Sequence, residues 1–82
     1  MYFVYLLQCS DGSYYCGIAK DVARRCKQHA RGTGAKYVRS RCPFTVVATA
    51  GSYPIGEALR HERAIKKLPK NQKIAAVLAL PA

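Results

Sequence analysis

The chain contains no tryptophan, one methionine and only four acidic residues among 82. Fourteen lysines and arginines stand against those four acids, leaving a net charge of +10. Such an excess draws polyanions, and nucleic acid is the commonest polyanion in a cell. A chain merely kept soluble by its charge is the plainer alternative. Long apolar runs are also missing: the longest N-terminal one, Tyr2 to Leu7, is the length of a strand and far short of a bilayer span. The opening MYFVYLLQCSDG lacks the basic start and small-residue cleavage site of a secretory leader, so a cytoplasmic protein is expected. An acidic membrane surface fits poorly, because the basic helical stretches carry no Trp or Phe and need their apolar faces for the core.

Cys-x-x-Cys pairs are absent too. The four cysteines, Cys9, Cys16, Cys26 and Cys42, are spaced 7, 10 and 16 apart. Cys26-x-x-His29 is the nearest approach to a ligand pair, with Cys42 or His61 to complete a zinc set. Small buried hydrophobes in a reducing compartment is the better reading of all four.

What is present reads as one α+β domain, residues 1–82. Tyr2 to Gln8 is aromatic, β-branched and almost continuously apolar, the pattern of a strand buried on both faces. Ser10-Asp-Gly-Ser13 is a turn, and Tyr14 to Ala19 returns as the second strand of a hairpin. Asp21 caps a helix from Val22 to about Arg31, closed by Gly32. A basic connection, GTGAKYVRSRCP, holds a short helical turn around Tyr37. Phe44 to Ser52 is a third strand, Glu57 to Leu68 a second helix stopped by Pro69, and Lys70 to Leu80 a third. The order β-β-α-β-α-α predicts a small three-stranded antiparallel sheet flanked by helices.

Helical phase then sorts the polar residues. At 100° per residue from Val22, Cys26, Ala30 and Ala23 lie between about 40° and 100° and form the predicted apolar stripe. Arg25 and His29 fall at about 300° and 340°, one turn apart on the stripe's edge, while Arg24, Lys27 and Arg31 face away. On the second helix, Glu62 lies at about 40° from Ala58, inside the apolar arc with Ile65. A carboxylate aimed at the core needs a partner. Arg25 in an ion pair and a metal ion are both open.

Six tyrosines remain, and Tyr15-Cys16-Gly17 is the most informative stretch. A glycine inside a strand marks close approach of a ligand or another backbone. Taken in order, Phe3-Val4-Tyr5, Tyr15-Cys16-Gly17, Arg25 and His29 four apart on the next helix, and Glu62 within ALRHERAIKKL resemble the GIY-YIG endonuclease superfamily over nearly the whole chain. The resemblance is nearest to small stand-alone bacterial members, which also carry a G-x-GAKY-x-R-S-R-x-P stretch. Phe3 and Val4 replace the first motif's Gly and Ile, and Cys16 replaces the second motif's Ile.

The resemblance implies a metal-dependent DNA endonuclease leaving 5′-phosphate and 3′-hydroxyl ends. It assigns Glu62 as ligand to one Mg²⁺ (or Mn²⁺), with Asn71, the chain's only Asn, as a further candidate near the metal. It makes Arg25 the phosphate clamp, Tyr5 the general base, and Tyr15 a hydrogen-bond partner of water or phosphate. His29 either accepts a proton from Tyr5 or binds phosphate. As a base, Tyr5 needs a nearby cation to favour its phenolate, because free Tyr titrates near pKa ~10. The nucleic-acid surface is expected from Lys36, Tyr37, Arg39 and Arg41 in the loop and from Arg60, Arg63, Lys66, Lys67, Lys70 and Lys73 on the later helices. A small basic face with exposed tyrosines suits a flexible single strand or a branched junction, where bases stack on rings. With the DNA chemistry that the resemblance implies, single-stranded or structured DNA is expected ahead of RNA. A monomer is the default. The runner-up is a non-catalytic nucleic-acid-binding protein on the same fold, and a duplex-RNA accessory is a third reading. One geometric condition follows. A plain two-residue turn at Asp11-Gly12 pairs Tyr5 with Ile18 and sends Tyr5 and Tyr15 to opposite faces. A shared site therefore requires a bulge at Gly12 or a three- or five-residue loop.

Overall fold

The computed structural model describes residues 1–81. Three antiparallel strands, β1 (Tyr2–Cys9), β2 (Tyr14–Ala19) and β3 (Phe44–Tyr53), form one sheet in the order β2-β1-β3. Helices α1 (Val22–Ala30) and α2 (Lys36–Arg39) follow the hairpin. Helices α3 (Ile55–Lys66) and α4 (Lys73–Leu78) follow β3. The third predicted helix is shorter than expected, because Lys70–Gln72 forms a separate 3₁₀ turn after Pro69. No helix among the described residues is long and apolar enough to cross a membrane.

Strand β1 is central, and its continuous apolar run serves both sides of the sheet. Val4 and Leu6 point into a core with Cys16, Ala48, Tyr53, Ala58 and Ile65 of α3, and Val77 of α4. Tyr5 and Leu7 point the other way, into a smaller core with Ala19 and Val38 of α2. Burying side chains such as Leu6 and Leu7, both fully covered, contributes about 1.5–3 kcal/mol each.

The hairpin is slipped by one residue, as a shared tyrosine site requires. Tyr5 pairs with Gly17 and Leu7 with Tyr15, so Tyr5 and Tyr15 share a face. The connecting loop is three residues, Ser10 to Gly12: Cys9 N–H donates to Ser13 O at 2.8 Å and Gly12 N–H to Cys9 O at 2.9 Å. Gly12 has φ +82°, the left-handed value that lets the extra residue be absorbed.

Helix α1 starts at Asp21, whose Oδ1 accepts from Arg24 N–H at 3.0 Å, and the chain turns out at Gly32 with φ +80°. Its rotation differs from the predicted one. Val22 and Cys26 are half-buried, but Ala23 and Ala30 are exposed and His29 is 1% exposed. The imidazole, not the alanines, takes the centre of the buried stripe. An alanine buries little surface, whereas the His29 ring fills the space under Tyr5 and finds hydrogen-bond partners there.

Candidate active site

Four of the five predicted site residues gather on the α1 side of the sheet. Tyr5 is 1% exposed, and its hydroxyl lies 2.9 Å from His29 Nε2. The other ring nitrogen, Nδ1, accepts from Ala35 N–H at 3.1 Å. Tyr15 packs edge-on to His29 with ring centres 5.7 Å apart, and 6.3 Å from Tyr5. Phe44 closes the far side of His29, edge to face at 6.0 Å. Arg25 is exposed at the rim, one turn before His29. With Lys20, Arg24 and Gln28 it also lines a surface cleft of about 290 Å³.

Gly17 explains itself in this setting. Any Cβ there would sit 2.7 Å from Tyr5 Cζ. The hydroxyl end of the Tyr5 ring lies over its hairpin partner, and only glycine leaves it room.

Electrostatics follow from burial. Desolvation, and then Tyr15, push the Tyr5 phenol above the ordinary tyrosine value, while Arg25 pulls the other way and does not win. The favoured phenolate that a general base needs is therefore not the resting state, which corrects the simplest expectation. Burial, and then Arg25, hold His29 below its usual 6.5, so the imidazole is kept neutral. A group whose folded pKa lies below its unfolded value leaves the unfolded chain binding more protons, so stability falls with acid. The melting temperature is expected to drop once pH goes below about 6.5, the unfolded value of His, and to keep dropping through the depressed folded value. His29→Gln should flatten that slope; thermal melts across the acid range check it. Asp11, also held low, acts in the same direction at lower pH.

Glu62 stands apart. It lies on α3, in the opposite layer, close enough to Cys16 that burial first and then the carboxylate push that thiol up to about 11. Its ion pair is with Lys66 on its own helix, at 3.6 Å, not with Arg25. Periodicity correctly turned Glu62 inward but could not say which layer it would enter. Only the edge strand β2 separates the two groups, Tyr15 and Gly17 facing one layer and Cys16 the other. As a metal site, this is one carboxylate with a 17% exposed side chain, and no cluster of three His, Cys, Asp or Glu occurs among the described residues. A lone hard oxygen suits Mg²⁺, which keeps most of its waters, and does not suit Zn²⁺. Asn71 is exposed in the 3₁₀ turn. The zinc alternative finds His29 with both nitrogens engaged and His61 across the sheet, its ring tilted against Tyr53 with centres 4.7 Å apart. All four cysteines are free; Cys9 and Cys16 are buried as expected, but Cys42 is exposed.

The basic residues divide between free and braced. Lys36, Arg39, Arg63, Lys67 and Lys70 are exposed. Arg41 lies 3.9 Å over the Tyr37 ring, and its Nε donates to Asp11 at 3.0 Å. Tyr37 also stacks on Tyr15, with ring centres 6.0 Å apart, and 38% of its surface stays exposed. Lys66 is tied to Glu62. Lys73 caps α3, donating to the carbonyls of Ile65 at 2.8 Å and Lys66 at 3.1 Å. Arg41 and Lys70 reach the same hairpin from opposite layers, Lys70 lying 5.6 Å over Tyr14. The contact that sequence reading missed is the one made by Gly34 and Ala35. The GTGAKY stretch was visible, but nothing local to it announces that its backbone lies on an imidazole.

Comparison with known proteins places the chain in a family. Residues 1–75 match the GIY-YIG catalytic domain. A UPF0213 protein of Nitratidesulfovibrio vulgaris is 45% identical over 80 residues, covering 98% of this chain and 73% of that one. A UPF0213 protein of Halobacterium salinarum is 47% identical over 75 residues, 92% of this chain and 97% of its own. The solution structure of a UPF0213 protein from Bacillus halodurans superimposes with a TM-score of 0.57 at 47% identity, covering 95% of this chain and 84% of that one. That of a protein from E. faecalis gives 0.63 at 38% identity, covering 90% and 79%.

Proposed function

The chain belongs to the GIY-YIG family of catalytic domains, and from that premise we propose that it is a divalent-metal-dependent endonuclease hydrolysing phosphodiester bonds in DNA, single-stranded or structured DNA above plain duplex. The observation that carries the proposal is the buried Tyr5–His29 pair with Tyr15 against it and Arg25 on its rim. A protein that only grips phosphate has no need to bury a hydrogen-bonded tyrosine and histidine beside an exposed arginine.

Phosphodiester hydrolysis builds charge on the phosphate oxygens and the departing oxygen and needs a water in line with the bond that breaks. Arg25 binds the phosphate oxygens through its planar fork of donors, with Lys20 and Arg24 lining the same cleft. Tyr5, as phenolate, takes the proton of the attacking water. Tyr15, less deeply buried than Tyr5, holds that water or a phosphate oxygen by its hydroxyl. Glu62 would hold Mg²⁺ or Mn²⁺, and a metal there supplies neutralisation of the charge on phosphate and leaving oxygen. The free edge of β2 is where a substrate is reachable from both layers. The exposed cations Lys36, Arg39, Arg63, Lys67 and Lys70 supply the sequence-independent grip.

The test is a panel of end-labelled single-stranded, duplex and branched DNA, with matched RNA, incubated with Mg²⁺, Mn²⁺ or EDTA. Metal-dependent cutting is expected, strongest on single-stranded or branched DNA, and about a hundredfold weaker for Arg25→Ala, which loses a charge-assisted contact to the phosphate. Tight binding of every substrate with no cutting under any condition would leave the non-catalytic reading in its place.

A further inference from the structure

The GTGAKY loop has a use in the site that its composition does not announce. A backbone amide is a donor only, and that of Ala35 is 3.1 Å from His29 Nδ1, so Nδ1 must present its lone pair. A neutral imidazole then carries its single proton on Nε2. Nε2 is 2.9 Å from Tyr5 Oη. With Nδ1 accepting, that bond has one polarity: His29 Nε2–H donates and the tyrosine oxygen accepts.

We propose that Gly34 and Ala35 form a positioning element of the active site, fixing His29 as the Nε2–H tautomer so that it serves as a hydrogen-bond donor to Tyr5 and not as the acceptor of the tyrosine proton. The proposal rests on the endonuclease reading for its catalytic meaning, though not for its geometry. The segment is built to lie on the ring. A Cβ at Gly34 would come within 2.9 Å of both Cα and Cγ of His29, and closer still to Nδ1. Thr33 and Gly34 N–H both donate to Gln28 O, at 3.0 and 3.1 Å, which holds the loop against the end of α1. Ala35 occupies the N-cap position of α2 with extended backbone, φ −63° and ψ 136°, where its N–H is not needed by the helix.

The groups around His29 keep it neutral and leave it no competing partner. They are Arg25 from α1, Tyr5 from β1, Tyr15 from β2 and Phe44 from β3, with Cys42 Sγ 3.7 Å from the His29 carbonyl. No carboxylate forms an ion pair or hydrogen bond with His29 among the described residues. The consequence for catalysis is directional. The hydroxyl proton of Tyr5 goes to solvent hydroxide, not to His29, and the phenolate that remains keeps a charge-assisted hydrogen bond from Nε2–H.

Two measurements test this. The first needs no substrate: a long-range ¹H–¹⁵N correlation spectrum of the labelled free protein at about pH 8, above the ordinary range of His. There are only two histidines, and a His61→Gln sample assigns them. A pyrrole-type Nε2 and a pyridine-type Nδ1 are expected for His29; a proton on Nδ1 overturns the proposal. In Gly34→Ala, whose amide spectrum reports whether the fold survives, the single tautomer should give way to a mixture, and an unchanged His29 pattern would overturn the positioning role of Gly34. The second compares cleavage by His29→Gln and His29→Ala. Glutamine keeps an N–H donor but is no base, so it should stay within about tenfold of wild type, whereas alanine loses about a hundredfold. Equal loss in both variants would make His29 a proton acceptor and overturn the proposal. If wild type cuts nothing, the endonuclease reading falls while the spectrum still decides the tautomer.

Discussion

Tyr5→Phe is expected to lower the cleavage rate by about a thousandfold, the middle of the range for removing a general base, and to destabilise the fold by about 1–3 kcal/mol. The two losses have one cause. The substitution deletes one oxygen, which is both the proposed proton acceptor and the partner of a fully buried imidazole N–H. Phenylalanine fills the same space, so packing is preserved and the stability loss measures the orphaned hydrogen bond. Single-turnover cleavage and urea unfolding check the two parts separately. Glu62→Ala offers the contrast. It should lose cleavage to a similar extent with little change in stability, because among the described residues Glu62 pairs only with the half-exposed Lys66. A Tyr5→Phe protein that cut normally would remove Tyr5 from the chemistry altogether.

The pH dependence carries the same logic. In the proposed mechanism the active form of Tyr5 is the phenolate, and burial and Tyr15 push its pKa above the ordinary tyrosine value. The fraction ionised therefore rises about tenfold per pH unit as long as Tyr5 is mostly protonated. Cleavage should climb steadily from neutral into alkaline solution and show no plateau there. A rate that levels off near neutrality would point to a different base.

Gly17→Ala is expected to cost about 1–3 kcal/mol or more and to reduce cleavage by at least about a hundredfold. The added methyl falls 2.7 Å from Tyr5 Cζ and 2.5 Å from its hydroxyl oxygen. Gly17 belongs to a strand paired to the central one, so the backbone cannot withdraw, and the Tyr5 ring must tilt away from His29. An enzyme that tolerates alanine at this position with full activity would show that the ring has freedom the packing denies it. The same thermal and cleavage assays serve, with the tyrosine–histidine contact followed by NMR.

Much of this was legible because the signals are local. The apolar run of β1, the cap at Asp21 and the helix-breaking Pro69 each act over a few residues. The slipped hairpin followed from requiring Tyr5 and Tyr15 on one face. Where reading failed, the information was not local. A helical wheel counts histidine as polar and alanine as apolar, so it placed Ala23 and Ala30 inside and left His29 at the margin. The structure reverses them, because two hydrogen bonds from distant segments make the imidazole welcome in the core. The same limit hid the layer of Glu62. Period sets which side of α3 turns inward, but the path of the chain from β3 sets which face of the sheet that side meets. Tyr37 and Arg41 were expected to meet nucleic acid. That they first meet each other, Tyr15 and Asp11 depends on loop geometry that composition does not encode.

The three-residue loop between β1 and β2 has a consequence for how this protein can change over time. Faces alternate along a strand, so what the hairpin must preserve is the pairing of Cys9 with Ser13 and not the length of the loop between them. An inserted residue that the loop takes up, as four- and five-residue loops built on a type I turn do, leaves Tyr5 opposite Gly17. One that instead slides β2 along β1 by a single residue sends Cys16 toward Tyr5 and turns Tyr15 into the opposite core. The tip is therefore free to change length only where the strands keep their alignment, and a lesion that unseats the Cys9–Ser13 pair is more severe than most exchanges at Ser10 or Asp11.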